Sequence, residues 1–200
     1  SLFERLHRQA PEASVMLDRQ YRMAQRIQAF SSREFYDGQL RPATPDVAAQ
    51  QIGSLPDVDP SALPAALRDP VAFVDPDGQR VGNTNPAEAD RVAELVAQFR
   101  EAGVAVEDIG VIAPFRAQVA EISRRTEATV DTVDRFQGSS KQVILVSFVA
   151  TGDLSGPIYD DPRRMNVALT RAKKSLVLVG DAEALGAAPF YERLLAWAKR

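Results

Sequence analysis

An α/β fold, in which a mostly parallel sheet carries helices on both faces, is what this 200-residue sequence predicts. Three apolar runs, Ile109-Gly110-Val111-Ile112, Val143-Ile144-Leu145-Val146 and Leu176-Val177-Leu178-Val179, are continuous rather than alternating, the pattern of strands covered on both sides. Helical patterns over residues 115–125, 164–170 and 190–199 separate or follow those runs. Strand–helix alternation of this kind yields three layers around a parallel sheet. A composition of 45% hydrophobic and 26% charged residues suits one globular domain, which buries roughly 70% of the surface its unfolded chain exposes.

At the start of the chain, the short run Val15-Met16-Leu17 reads as a strand feeding a helix, in which Met23, Ile27 and Phe30 fall at i, i+4 and i+7. Residues 42–76 hold seven of the 13 prolines, so no long regular element survives there. The expectation is a surface excursion over about 42–70, closed by a strand at Val71-Ala72-Phe73-Val74. Asn85-Pro86-Ala87-Glu88 reads as a helix start, with Asn85 as cap, Pro86 at the first position and Glu88 reaching back to complete a capping box. Val92, Leu95, Val96 and Phe99 continue that helix on one face, and Gly103 ends it. Asp181, after the last strand, caps the following helix.

Composition removes several function classes. With no cysteine and a single histidine, His7, the chain has no Cys/His zinc site, disulfide framework or cysteine nucleophile. No lysine follows a glycine, which excludes a Walker A loop. Apolar runs fall short of the roughly 18 residues of a membrane span, and Ser1-Leu2-Phe3-Glu4-Arg5 lacks a signal-peptide layout, so a cytoplasmic protein without a membrane partner is expected. The net charge of −3 hides a local contrast. Arg163, Arg164, Arg171, Lys173 and Lys174 lie close together without an acid, whereas residues 42–78 hold six Asp and only Arg68. Asp153, Asp160 and Asp161 lie in a Gly/Pro-punctuated loop and read as loop chemistry rather than a metal site.

Four segments beside these strands carry the chemistry: Leu17-Asp18-Arg19-Gln20-Tyr21-Arg22-Met23, Ala113-Pro114-Phe115-Arg116-Ala117-Gln118, Thr132-Val133-Asp134-Arg135-Phe136-Gln137-Gly138 and Asn166-Val167-Ala168-Leu169-Thr170-Arg171-Ala172-Lys173. In open parallel sheets, ligands bind beyond the carboxyl ends of the strands, which is where these segments are sought. In order and spacing they resemble motifs IV, IVa, V and VI of superfamily 1 helicases of the Upf-like subgroup, from about Leu2 to Ala184. The resemblance implies a RecA-like three-layer domain spanning 1–200, the second of two that clamp ATP between them. The first, absent from this chain, would supply the Walker A lysine and hold Mg2+, so these 200 residues alone would be inactive.

Carried over by the resemblance, Arg22 and Arg171 are similar to the two arginines that reach the γ-phosphate. A guanidinium suits that place, because it stays charged and donates to two phosphoryl oxygens at once. Tyr21 resembles the residue that packs on base or ribose, with core packing as its other reading. Gln20 sits beside it in the nucleotide motif and also reads as a residue that fixes the loop by hydrogen bonds. Gln137 and Gly138 resemble the turn near the nucleotide, where glycine allows close backbone approach. Two positions on, where the family commonly has Glu on the sugar, this chain has Ser140, able to donate a weaker hydrogen bond to ribose.

Pro114, Phe115, Arg116, Gln118 and Thr132 match positions facing a single strand of DNA or RNA, gripped through its backbone and tracked 5′ to 3′. Phe115 and Thr132 also read as structural, the one a helix-start core residue and the other a β-former. Two other functions stay open at this point. One is a degenerate helicase domain acting as a nucleic-acid- or protein-binding scaffold, suggested by Ser140 and Gln142. The other is an unrelated doubly wound enzyme using Asp131 or Asp134.

Overall fold

Alternate residues of the two central strands face opposite ways, and each side has its own core. The computed structural model describes Gln9 and residues 17–136, 138–152 and 154–200. Its main sheet has five strands: β3 (Val71–Val74), β4 (Ile109–Ala113), β5 (Thr129–Thr132), β6 (Lys141–Ser147) and β7 (Ala172–Val179). All pair in parallel in the order β3-β7-β6-β4-β5. On one face Ile144, Val146, Leu176 and Leu178 join Ile27, Phe30 and Trp197. On the other, Val143, Leu145, Val177 and Val179 join Val92, Leu95 and Phe99. Each fully buried side chain of this size stabilises the fold by about 1.5–3 kcal/mol, so continuous runs cover both faces at once.

The helices on the first face are α1 (Gln25–Phe35), the short α6 (Pro157–Asp160), α7 (Pro162–Leu169) and α9 (Pro189–Ala198), and those on the second are α4 (Pro86–Glu101) and α5 (Arg116–Ser123). Three predicted helices therefore appear within three residues of their expected bounds. Asp161 starts α7 by accepting from Arg163 N at 3.0 Å, and Asp181 accepts from Ala184 N at 2.9 Å to start α8 (Ala182–Gly186). Gly103 ends α4 at φ +102°, where an added Cβ would lie 2.0 Å from the Asp57 carbonyl oxygen.

Four expectations change. Val15 and Met16 lie outside the described residues, and Leu17 is exposed and not in a strand. The strand is β1, Arg19–Gln20, paired in parallel with β2, Arg41–Pro42. β5 was not among the apolar runs, because Thr129-Val130-Asp131-Thr132 is a polar edge strand. The 42–70 excursion is anchored rather than superficial: besides α2 (Pro45–Ala48) and α3 (Ala65–Arg68) it inserts Ile52, Leu63 and Leu67 into the second core. Finally, only half of the capping box forms. Asn85 Oδ1 accepts from Glu88 N at 3.2 Å, but Asn85 N donates to Gln118 Oε1 at 2.9 Å, and the Glu88 carboxyl group turns inward.

Candidate functional site

The four motifs fall into two clusters at opposite ends of the sheet. Lys141 begins β6 and Ser147 ends it, six residues apart, or about 20 Å at the rise of an extended strand. Tyr21, Arg22, Gly138, Ser140 and Arg171 lie around the amino ends of β6 and β7; Pro114, Phe115, Arg116 and Thr132 lie at the carboxyl ends of β4 and β5. The segments expected to face nucleotide thus sit at the opposite end from the one at which open parallel sheets bind ligands. Eight residues, 133–140, lead from the end of β5 back to the start of β6, and Arg171 directly precedes β7.

At the amino end two guanidinium groups converge on Thr170. Arg22 Nη1 donates to the Thr170 carbonyl at 3.0 Å, and Arg171 Nη2 donates to the Thr170 hydroxyl at 3.1 Å. Arg171 is further held by Val167 O at 3.0 Å and Ser139 O at 3.2 Å. Neither is ion-paired with a carboxylate among the described residues. Burial, and after it the positive charge of Arg22, pull the Arg171 pKa down. Two like charges held together without a counter-ion favour an anion between or beside them.

Gln20 positions Arg22. Its Oε1 accepts from Arg22 N at 2.8 Å and Met23 N at 2.7 Å, while Nε2 donates to Met23 O and Gln28 Oε1, both at 2.8 Å. The amide is therefore fully engaged within the protein, which fits the loop-fixing reading of Gln20, and the residue also lines the groove beside Arg22. Tyr21 is 74% exposed, which removes its core-packing reading. Gly138 takes φ +88° in an open turn, Ser140 is half-buried, and Gln137 lies outside the described residues.

Beside Arg22 runs a groove of about 630 Å³, lined by Arg19, Gln20, Tyr21, Gln142, Lys173 and Lys174, with no acid among the described residues that line it. Burial and then Lys173 lower the pKa of Lys174, whose Nζ donates to Ser54 Oγ at 3.0 Å. Gln142 Oε1 is buried without a partner. Of the clustered cations, Lys173 and Lys174 thus line the groove, whereas Arg163 and Arg164 pair with Asp161 at 3.0 Å and Asp134 at 3.5 Å.

At the carboxyl end the expected set divides. Arg116 is exposed at the start of α5, and Thr132 is half-buried at the end of the edge strand. Phe115 is half-buried: an added Cβ on Gly156 would meet its ring at 2.6 Å, and Arg80 Cζ stands 4.9 Å from the ring centroid. Pro114 is buried, so its assignment to the strand-facing surface is corrected. Gln118 is corrected too. It is fully buried, and besides accepting from Asn85 N it donates to Asn85 O and Ser147 Oγ, each at 3.1 Å. An amide side chain facing inward from α5 looks, by residue type alone, the same as one facing a ligand.

Sequence reasoning also missed Glu88 as more than a cap. It is 0% exposed, and burial raises its pKa to about 7 against the opposing pull of hydrogen bonds from Ser147, Val149 and Ala150.

Comparison with known proteins covers nearly the whole chain. A family model described as an AAA domain matches residues 1–183. An uncharacterised ATP-dependent helicase of Methanocaldococcus jannaschii is 34% identical over 215 residues, spanning 100% of this chain and 31% of that protein. The DNA replication ATP-dependent helicase/nuclease DNA2 of Xenopus laevis is 35% identical over 226 residues, spanning 98% of this chain and 21% of that protein. The chain therefore corresponds to about a fifth to a third of these relatives. Among solved structures, the C-terminal domain of a possible DNA helicase from Lactobacillus plantarum WCFS1 superposes with a TM-score of 0.53 at 14% identity, over 86% of this chain and 92% of that one. At that identity the likeness speaks for the fold, and it is the RecA-like architecture read from the motifs.

Proposed function

The chain belongs to the AAA domain family, and from that premise we propose that it is the second RecA-like domain of a superfamily 1 ATP-dependent helicase. In this reading it forms one wall of an ATP site whose other wall, with the Walker A lysine and the bound Mg2+, comes from a first domain of the same parent protein. The observation that supports it is the convergence of Arg22 and Arg171, without carboxylate partners among the described residues, on Thr170.

The residues present fit a triphosphate. Closure of the two domains brings Arg22 and Arg171 to the γ-phosphate, where bidentate donation stabilises charge spreading over the phosphoryl oxygens without any proton transfer. The groove of Arg19, Lys173 and Lys174 offers further positive charge, and exposed Tyr21 offers a face for base or ribose. Some 20 Å away, Phe115, Arg116 and Thr132 present a ring, a cation and a hydroxyl to a single strand of DNA or RNA. Such groups grip backbone without reading sequence. Closure and reopening then advance the grip along the strand, in the 5′ to 3′ direction that the resemblance implies.

Arg171→Ala in the full-length protein tests this reading. Loss of an arginine finger costs about 10³- to 10⁵-fold in turnover, so nucleic-acid-stimulated ATP hydrolysis should nearly vanish while oligonucleotide binding persists. Turnover within a few-fold of wild type would refute the assignment.

A further inference from the structure

The carboxyl end of β6 contains a buried acid that no step above uses. Glu88, on α4, reaches across the second core with no cation beside it among the described residues. Its Oε2 accepts from Ser147 Oγ at 2.6 Å and Val149 N at 2.8 Å; its Oε1 accepts from Ala150 N and Asn85 Nδ2, each at 3.3 Å. All four partners act as donors, so the arrangement suits an ionised carboxylate. Two of them are backbone amides of a turn in which Val149 takes φ +55°, a conformation that β-branched residues rarely adopt and that persists only when surroundings hold it. The next residue, Thr151, accepts from Arg80 N at 2.6 Å, and Arg80 covers the ring of Phe115.

We infer that Glu88 is a positioning residue for the strand-facing surface: it pins residues 147–150 in a strained turn, and through Thr151 that turn sets the Arg80–Phe115 pair beside Arg116. The role rests on the reading of this end as the strand-gripping face. Core packing alone does not call for a carboxylate here, because an apolar side chain would fill the same space without the cost of burying a charge. Glutamine does not substitute for it, since its NH2 would face the Val149 or the Ala150 N–H.

Protonation of Glu88 has a defined consequence, since it removes an acceptor from a site that has four donors. The other groups packed around it do not compensate. Asn85 and Gln118 are neutral. The Tyr159 hydroxyl donates to Phe148 O, and its pKa is raised by burial and then by Glu88, while Arg80 acts on Tyr159. The grip should therefore weaken as pH falls through about 7.

The test uses the full-length protein, with amide hydrogen exchange and binding to a labelled oligothymidylate measured at pH 6 and pH 8. In Glu88→Gln, the Val149 and Ala150 amides should exchange about tenfold faster and oligomer affinity at pH 8 should fall about tenfold, with residues 143–146 as protected as in wild type. Wild type should bind more tightly at pH 8 than at pH 6 by a larger ratio than the variant does. Ser147→Ala, which keeps the carboxylate and removes one donor, should give a smaller loss of the same kind. Unchanged exchange at Val149 and Ala150, or loss of protection throughout β6, overturns the role. A loosened turn with undiminished oligomer binding also overturns this role, and leaves the strand-gripping surface standing. Failure of wild type to bind the oligomer at either pH overturns that surface reading and this role together.

Discussion

Thr170 holds both arginines, each through a different atom, and this separates their contributions. Thr170→Val keeps the carbonyl that accepts from Arg22 and the volume of the side chain, but removes the hydroxyl that accepts from Arg171 Nη2. Arg171 would keep Val167 O and Ser139 O and lose part of its aim. Misplacement of a catalytic group by about 1 Å can cost about 100-fold, and a partial loss of aim costs less. The variant should therefore lose about tenfold in the kcat of ATP hydrolysis with little change in oligonucleotide affinity, and Thr170→Ser should restore it. Equal kcat in Thr170→Val and wild type would mean that the hydroxyl does not aim Arg171. At this scale the pairing of Arg22 with Arg171 was foreshadowed, because short motifs mark both and the structure brings both to Thr170; their action on phosphate is the reading proposed above. The burial of Gln118 and Pro114 was not foreshadowed, since a motif position records residue type and says nothing of burial, and both turn into the protein. Glu88 was seen only as half of a capping box. That the carboxylate would prefer the amides of a turn 59 to 62 residues away is a tertiary fact.

Among the elements, those with a strong period were readable and those built on isolated anchors were not. α4 announces itself through Asn85, Pro86 and the spacing from Val92 to Phe99, because each local choice agrees with the same helix. β5 shows only one aliphatic residue in four, which is sufficient at a sheet edge and too little to be noticed in sequence. Prolines and Asp in residues 42–70 spoke for an exposed excursion, yet Ile52, Leu63 and Leu67 pin it to the core at irregular spacing with no period to detect. The two descriptions differ measurably. An exposed residue replaced by alanine changes stability by roughly 0.5 kcal/mol or less. Ile52, at 1% exposure, should instead cost about 2–5 kcal/mol as Ile52→Ala, read from the midpoint and slope of urea unfolding. A change below about 1 kcal/mol would restore the picture of a superficial loop.

On the scale of the whole molecule, β6 runs from the arginine cluster at its amino end to the turn that Glu88 holds at its carboxyl end, and Glu88 gives that end a response to pH that should oppose that of overall stability. Its folded pKa of about 7 lies above the ordinary 4.5. Between those values the native protein keeps a proton that the unfolded chain has released, so stability falls as pH rises from about 4.5 to about 7 and is level above. The full extent is on the order of 3 kcal/mol. Carboxylates lowered by arginine partners, such as Glu34 beside Arg193 and Asp161 beside Arg163, act in the opposite sense: the stability they contribute is lost as pH falls through their lowered pKa values. They are already ionised at pH 5.5. Ionised Glu88 thus completes the hydrogen bonds of the turn after β6 while it adds the cost of a buried charge to the fold as a whole. Thermal midpoints should drop from pH 5.5 to pH 8 in wild type, and Glu88→Gln should flatten that slope at the same time as it flattens the rise in oligonucleotide affinity. His7 and every other titrating group are common to both proteins and cancel in the difference. A variant that retains the wild-type slope in stability would show that Glu88 is ionised throughout this range, and the pH dependence of the grip would then have to arise elsewhere.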